Sequence, residues 1–431
     1  MTRSIRNFLA THNLLAVSAK RRETAINAEQ ELDTILLADL NSILNYQALK
    51  SPNREEFTGK EEADRLHDLG GRVAGALSFP RAQPQHFAFL LAYGLGTVAT
   101  AAAGTTGYRH AIRPLSGEVD EARSNPSFTA ALRFGRQVLK RRFASCFIDQ
   151  VKVEFSKDGW AKINGTVKGT GKVEDNTRVE EVTAPYNAGT LTLAAGGVAG
   201  ADAAERLSSV QAVKVLNPGT QAWDEVSYQA VSEEVPAAIT IAPPGSAGDA
   251  TTYRVYYLPR ESGWMDFPPR VDEPPLKVSR LEVTLGGRWD GATFYGGRLL
   301  SAELRAVTWT FKNNLTPESA PGAGSGFANR AFRAGREQSL KFDRDFRDFL
   351  LAQNLKDNDT LAVRLLAQGP EFEPGLSYQV ELVFPRVAVL NSPVRVNQRR
   401  LGEEVEFAVL EDDDFGSVVA VVQNQVSGYA A

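Results

Sequence analysis

The stretch from Leu276 to Leu315 constrains the fold most, because period-two patterning flanks a glycine-rich break within it. Its first run alternates apolar Leu281, Val283 and Leu285 with polar residues, and its second run extends from 299 to 311. Such patterning on both sides of a turn predicts a long antiparallel β-hairpin. The stretch contains no recognisable catalytic motif, which favours a building block over an active site.

The second run of this hairpin changes face along its length. Its apolar positions are first even and then odd: Leu300, Ala302, Leu304, Ala306, then Val307, Trp309, Phe311. A one-residue slip turns every following side chain over. The pattern therefore predicts a bulge, or a strand passing between two sheets, near Ala306.

Composition excludes several functional classes. At 431 residues the chain has room for about three domains. Its net charge of -4 does not indicate a general basic surface for binding nucleic acid. Cys146 is the only cysteine, which excludes disulfides within the chain. The four histidines are scattered, which weakens metal or triad chemistry. Because no signal peptide or membrane span is recognisable, the protein is expected to be made and kept in the cytoplasm unless something carries it out.

Several elements are predicted outside the opening stretch. Apolar residues at helical spacing predict an amphipathic helix within residues 22–50. A strand is predicted at 73–79, a helix from Pro84 ending at a Leu-Gly pair, and a second hairpin over 147–167. The acidic run 411–414 lacks calcium-loop spacing and reads as a solvated turn.

Residues 185–275 change character. Short apolar runs separated by Gly, Pro, Ser and Asn predict a small all-β module, and a proline-rich linker follows it. Its aromatic residues predict either core packing, which is favoured, or a sugar-stacking patch: Tyr253, Tyr256, Tyr257 and Trp264.

The chain also contains a candidate internal duplication. Residues 77–81 followed by 89–92 resemble residues 340–344 followed by 349–352, and both read as strand, turn and helix. In the second copy Asp343 is the predicted helix N-cap. Two related sandwiches with one helix each, with the 185–275 module between them, would explain the match. A chance match of short apolar strings is the alternative.

The order of these motifs resembles that of the tail tube proteins of long-tailed bacteriophages. The resemblance lies in the N-terminal helix leading to Glu55-Glu56-Phe57-Thr58-Gly59, in 84–96, 148–171 and 278–315, in the helix after Asp343, and in 378–385. It covers most of the chain except the 185–275 module, and no single motif in it is specific.

This resemblance implies a mainly β fold with a few helices (α+β): two tail-tube-like β-sandwich or barrel domains, each with a flanking helix, plus a small inserted β-sandwich. The implied boundaries are an N-terminal helical arm at 1–60, a first tube-like domain at 61–184, the inserted decoration module at 185–275 and a second tube-like domain at 276–431. It implies a virion protein of the phage tail, made in the host cytoplasm, that is not an enzyme and uses no cofactor or metal.

The implied partner is the protein itself, in stacked rings of three chains with pseudo-sixfold symmetry, or of six. Tape measure and tail terminator proteins would be further partners, and no membrane is implied. DNA would pass through the lumen without specific binding, which suits a chain with no basic excess. Polar hairpin positions are the candidates for the lumen face: Lys152, Glu154, Lys162, Asn164, Arg280, Glu282, Glu303 and Arg305.

Two other functions stay open from the sequence. A carbohydrate-binding or adhesin-like surface protein would use the aromatic β-module, although no secretion signal is recognisable. An enzyme acting through paired carboxylates would draw on Asp149, Glu154, Asp158 or Glu282, but spacing singles out no pair.

Overall fold

The computed structural model describes residues 9–116, 125–134, 139–157, 159–194, 196–245, 248–260, 265–322, 324, 326–397 and 399–431. In these residues the protein is mainly β with three α-helices, which confirms the predicted mainly β class with few helices. The helices are α1 Pro84–Leu95, α2 Ala203–Ser209 and α3 Leu350–Asp357. None of these three is long and apolar enough to cross a membrane.

The chain divides into two compact units. The smaller contains Met1–Leu14, Ala131–Arg142 and Glu174–Asp266; the larger contains Leu15–Ala130, Phe143–Val173 and Phe267–Ala431. Both predicted tube-like domains lie mainly in the larger unit, so the boundary between them stays a prediction.

The smaller unit contains a β-sandwich with its own core. Its strands are β11 Arg178–Pro185, β12 Thr190–Thr192, β13 Val210–Leu216, β14 Trp223–Glu225, β15 Tyr228–Val231, β16 Ala238–Ile241 and β17 Ala250–Tyr257. One sheet has the order β11-β17-β13-β14 and the other β12-β16-β15. Tyr253 and Tyr257 are fully buried with Leu191, Val213 and Ile239 from both sheets. The strands predicted from the short apolar runs are therefore confirmed.

The strands before the sandwich belong mostly to the larger unit. They are β1 Leu14–Val17, β2 Thr34–Leu36, β3 Leu44–Pro52, β4 Leu66–Phe79, β5 Gly96–Ala103, β6 Gly107–Pro114, β7 Phe128–Phe134, β8 Leu139–Ser156, β9 Lys162–Gly169 and β10 Val173–Asp175. The predicted second hairpin is confirmed as β8 and β9, which pair from Cys146 opposite Gly169 to Glu154 opposite Lys162.

Thirteen further strands follow the sandwich in the described residues. They are β18 Leu281–Leu285, β19 Arg288–Trp289, β20 Phe294–Tyr295, β21 Arg298–Leu299, β22 Leu304–Lys312, β23 Leu315–Glu318, β24 Arg330–Arg333, β25 Glu337–Asp345, β26 Thr360–Glu373, β27 Leu376–Asn391, β28 Val394–Asn397, β29 Arg400–Val409 and β30 Val419–Asn424. Short 3₁₀ turns occur at Ala10–His12, Val278–Arg280 and Ser301–Glu303.

The amphipathic helix predicted within residues 22–50, and with it the helical arm at 1–60, is wrong: the described residues 9–60 form no α-helix. Asn27 has a positive φ of 65°, which interrupts a helix, and Leu36 pairs with Leu15 in a strand. Glu23 is buried instead of starting a helix, and its carboxylate accepts a 2.7 Å hydrogen bond from the Thr129 hydroxyl. Tertiary partners override helix propensity here.

The long hairpin predicted over Leu276–Leu315 is also wrong in its pairing. Strand β18 pairs with only two residues of β21, Arg298 and Leu299, and takes β26 as its full-length partner. A 3₁₀ turn at Ser301–Glu303 redirects the chain, so β22 pairs with β25 and β8 instead. Sequence alternation identified both strands, but it does not specify their partners.

The change of face near Ala306 is confirmed. The register between β22 and β25 shifts between Leu304 and Ala306, and from Val307 onward alternate residues are buried. A bulge of this kind turns the following side chains over.

Helix α1 begins and ends as predicted. Pro84 is its first residue, Gly96 ends it with a φ of 104°, and all twelve helical residues are buried. In the second copy a helix is present, but the N-cap prediction for Asp343 is wrong. Asp343 lies in β25, where pairing with Ala306 and Glu404 keeps the backbone extended to Asp345.

One strand arrangement occurs twice in the larger unit. The first quartet has the sheet order β3-β4-β9-β8, and the second quartet has the order β22-β25-β29-β27. In both, a helix follows the second strand along the chain, α1 in one case and α3 in the other. The two quartets are joined edge to edge, because β8 pairs with β22 from Gln150 opposite Lys312 to Ser156 opposite Ala306.

Candidate assembly surface: a polar face across the joined quartets

The joined quartets carry a continuous polar face, built from residues that oppose one another in register. Its first row crosses β9, β8, β22, β25 and β29 through Lys162, Glu154, Thr308, Lys341 and Glu406. Its second row crosses β4, β9, β8, β22 and β25 through Ser78, Asn164, Lys152, Thr310 and Ser339. Directly opposed residues point to the same side of a sheet, so these two rows form one surface, called here the polar face.

The opposite side of the same strands is apolar and buried. The side chains between the polar positions are fully or almost fully buried: Val151, Val153, Phe155, Ile163, Val307, Trp309, Phe311, Leu340, Phe342, Val405 and Phe407. Because successive side chains alternate across a strand, this burial holds the polar residues on the other side. Burial of Trp309 and Phe342 thus fixes which way Thr308 and Lys341 point.

The charges on the polar face nearly cancel. The Glu154 carboxylate lies 3.6 Å from the Lys152 ammonium and 3.7 Å from that of Lys162. The Lys341 ammonium lies 3.0 Å from the Glu406 carboxylate. Exposed pairs of this kind contribute about 0–1 kcal/mol each to stability. Their main consequence is a surface that presents both signs of charge with an excess of one lysine.

Four of the eight candidate residues lie together on the polar face. Lys152 is opposite Asn164, and Glu154 is opposite Lys162, as the hairpin prediction requires. Whether they face a lumen stays a prediction.

Arg280 and Glu282 do not lie on the polar face. Arg280 is in a 3₁₀ turn, where its guanidinium donates a 3.2 Å hydrogen bond to the Gly369 carbonyl. Glu282 is exposed on β18, opposite Leu366 of β26.

Glu303 and Arg305 take part in a partly buried ion-pair cluster next to the bulge. Its centre is Arg344, a fully buried arginine whose guanidinium lies 2.6 Å from the Glu403 carboxylate and 3.2 Å from that of Glu303. Arg305 pairs with Asp345. Of these pairs Arg344–Glu403 is fully buried, and removing one partner from a buried pair typically costs about 3–5 kcal/mol. The cluster therefore has a structural role beside the bulge.

A third carboxylate, that of Asp348, contacts Arg344. Asp348 pairs with Arg344 at 3.4 Å and with Arg298 at 2.7 Å. The hydrogen bond from Arg298 holds the pKa of the Asp348 carboxyl below its usual value. The group therefore stays ionised and paired at neutral pH.

Sequence reasoning missed six of the ten residues of the polar face: Ser78, Thr308, Thr310, Ser339, Lys341 and Glu406. The available signal was the odd-numbered apolar series Val307, Trp309 and Phe311, because the residues between them must point the other way. No sequence signal indicates that β22 lies beside β8, since that pairing joins residues 150 to 162 positions apart.

Two of the four carboxylates nominated for an enzymatic site, Asp149 and Glu154, take part in ion pairs with lysines. Asp149 accepts a 2.6 Å hydrogen bond from the Leu315 amide and pairs with Lys168 at 2.9 Å. Asp158 lies outside the described residues. Among the described residues, no group of three or more His, Cys, Asp or Glu side chains could hold a metal ion.

The acidic run forms a turn, as predicted. The Asp412 carboxylate accepts hydrogen bonds from the amides of Asp414 and Phe415, at 3.0 and 3.1 Å.

No protein-family model matches this sequence, and no curated protein matches it either.

Proposed function

We propose that this protein is a structural subunit that assembles with copies of itself into rings, and that the rings stack into a phage tail tube through which DNA passes. The single observation that carries the proposal is the joined pair of quartets. Two four-stranded arrangements of the same order meet edge to edge through β8 and β22. One chain already joins its first quartet to its second in this way. The same kind of junction can therefore be repeated between the second quartet of one chain and the first quartet of the next.

Repetition of a head-to-tail junction produces a closed ring when the rotation per copy divides a full turn. Because each chain contains two quartets, three chains supply the six quartets of a pseudo-sixfold ring. A ring of six chains is the second arrangement. In either ring the polar face would line the channel, with Lys152, Glu154, Lys162 and Asn164 among its lining residues.

The charge of that face supports a role as a passage for DNA. A protein that grips DNA uses an excess of Lys and Arg to displace counterions from phosphates. Here Glu154 of the first row lies between Lys162 of the same row and Lys152 of the second row, and Lys341 lies beside Glu406. Such a lumen would let DNA slide without specific binding. The β-sandwich of the smaller unit would decorate the outside, and tape measure and tail terminator proteins would be the further tail partners.

The burial of the aromatic residues weighs against the alternative of a carbohydrate-binding protein. Two of the four residues nominated for sugar stacking, Tyr253 and Tyr257, are fully buried in the sandwich core. Trp264 lies outside the described residues. Tyr256 is partly buried, with the Lys214 ammonium 5.6 Å from its ring centre.

Electron microscopy of the purified protein tests the proposal. We expect rings or tubes, with a threefold or sixfold end-on view. A strictly monodisperse monomer that binds members of a glycan array would instead favour the carbohydrate-binding alternative and refute the tube.

A further inference from the structure

The junction inside the chain uses more than paired strands. After β22, the Asn313 amide donates to the Asp149 carbonyl at 2.7 Å, and the Asn313 side chain donates to the Gly94 carbonyl at the end of α1, also at 2.7 Å. The Leu315 amide donates to the Asp149 carboxylate at 2.6 Å, and its carbonyl accepts from the Lys168 ammonium at 2.9 Å. The connection between the first two strands of the second quartet thus lies on the first quartet.

The rest of this connection continues the contact. Leu315 and Ala331, from the β23–β24 hairpin, are buried against Phe147 of β8. The Ala328 amide donates to the Thr170 carbonyl beyond β9 at 2.8 Å. The connection therefore covers the β8–β9 side of the first quartet and the C-terminal end of its helix.

The equivalent connection in the first quartet, between β3 and β4, does not pack on another quartet in the same way. Residues 45–69, called here the arm, form the outer part of β3 and β4 and the loop between them. Pairing with β9 stops at Val73, whereas β3 and β4 pair onward to Pro52 opposite Leu66. Five large apolar side chains of the arm are each at least 40% exposed: Tyr46, Leu49, Phe57, Leu66 and Leu69. An isolated apolar hairpin of this kind is marginally stable and tends to associate.

The second quartet has an exposed surface that corresponds to the part of the first quartet on which the β22–β25 connection packs. Helix α3 is the counterpart of α1, but only Leu351 and Asn354 of α3 are buried. Leu95 at the end of α1 is fully buried, while its counterpart Leu355 is 37% exposed. The acceptor surface is defined by four exposed apolar residues of α3, its N-cap and the adjoining end of β27: Phe349, Leu350, Leu355 and Leu390.

We propose that the arm of one chain packs on the acceptor surface of the next chain, and that this contact joins chains into the ring. The occupant is a second copy of this protein, because the connection of the second quartet already makes the corresponding contact on the first quartet within one chain. Each chain would then carry one donor and one acceptor, which is the head-to-tail arrangement that closes a ring. The inference rests on the self-assembly proposed above.

Two charge substitutions at exposed positions test this contact. Leu69→Glu alters the arm, and Leu355→Glu alters the acceptor surface. Val179→Glu, at a 49% exposed apolar position of the smaller unit, is the matched control. We expect each of the first two variants to lose ring formation while keeping the circular dichroism spectrum of the parent and a cooperative urea transition, and the control to assemble like the parent.

Mixing the two variants gives the decisive measurement. The Leu69→Glu chain keeps an intact acceptor surface, and the Leu355→Glu chain keeps an intact arm. The arm of the second chain can therefore still pack on the acceptor surface of the first. A 1:1 mixture should sediment as a dimer in analytical ultracentrifugation, although each variant alone sediments as a monomer.

The outcomes separate the two proposals. A monomeric parent protein would refute the proposed self-assembly itself. A parent that forms rings, together with a Leu69→Glu variant that also forms them, would overturn only the arm contact. If both variants are folded monomers but their mixture contains no dimer, the arm and the acceptor surface are not partners and the inference is wrong.

Discussion

Glu273 illustrates how strongly a single buried group can depend on its surroundings. It lies in the proline-rich segment after the sandwich, is 3% exposed, and its carboxylate accepts a 2.7 Å hydrogen bond from the Gln85 amide at the start of α1. Burial raises the pKa of this carboxyl from 4.5 to about 7. The segment that the sequence marked as a linker thus also contacts the first helix of the larger unit.

This raised pKa predicts a pH dependence of stability. Between pH 4.5 and about 7 the folded state keeps a proton that the unfolded state has lost, so the free energy of unfolding should fall as pH rises through this range. The full effect is about 3 kcal/mol, at 1.36 kcal/mol for each pKa unit. The substitution Glu273→Gln should remove this dependence, as measured by urea unfolding at a series of pH values.

The comparison must be made between parent and variant at each pH, because His86 has the opposite effect. Burial lowers the pKa of His86 to about 3, so its contribution to stability is lost as pH falls below about 6.5. Since His86 is present in both proteins, its effect cancels in the difference. A difference that stays constant from pH 4 to pH 8 would contradict the assignment to Glu273.

At the scale of elements, the strand positions were predictable and their partners were not. The alternation of Leu281, Val283 and Leu285 identified β18, and the slip near Ala306 identified the bulge in β22. The predicted pairing of these two strands failed because alternation reports which face of a strand is buried, and not which strand lies beside it. The helix predicted within residues 22–50 failed for a related reason, since Ile35 and Leu36 are buried in a strand that pairs with β1, and Leu44 begins a strand that pairs with β4.

Val283 in β18 gives a prediction at this scale. It is fully buried opposite Leu365 of β26, so Val283→Asp would place an unpaired carboxylate in the core. Such burial costs several kcal/mol, and we expect the variant to unfold the larger unit or to stop ring assembly. Electron microscopy together with thermal unfolding measures both effects.

Glu282 supplies the control, because it is the exposed neighbour on the same strand. Glu282→Gln should change the unfolding midpoint little, since surface substitutions usually alter stability by less than about 0.5 kcal/mol. Normal tubes from the Val283→Asp variant would contradict the burial of that face.

At the scale of the whole molecule, the β-sandwich is expected to be separable from assembly. Arg178 at the start of β11 is the register partner of Tyr257 at the end of β17, so the chain leaves and returns at neighbouring positions. Directly opposed residues in antiparallel strands are about 5 Å apart. A short linker can therefore bridge the gap after removal of residues 179–256.

We expect a chain with Arg178 joined to Tyr257 by a short Gly-Ser linker to form rings with the same lumen but a smaller outer diameter. Negative-stain electron microscopy would compare the two diameters with those of the parent protein. A folded variant that no longer forms rings would show that the sandwich takes part in assembly, contrary to a purely decorating role.

The sequence by itself determined the mainly β class, most strand positions, the helix at Pro84 and the change of face near Ala306. These follow from local rules: alternation along a strand, the fixed φ of proline, and the freedom of glycine to end a helix. Four of the eight candidate surface residues, those in the β8–β9 hairpin, were also found together because a hairpin places near neighbours in sequence side by side.

Only the tertiary structure decided which strands pair, because such pairings join distant segments and depend on the fit of whole faces. It placed β22 beside β8, extended the polar face across both quartets and buried Arg344 among three carboxylates. It also left apolar residues of the arm and of α3 exposed. The first quartet is covered by the connection between β22 and β25, whereas the second quartet has no such cover within the described residues. This difference depends on long-range packing, which no local sequence pattern specifies.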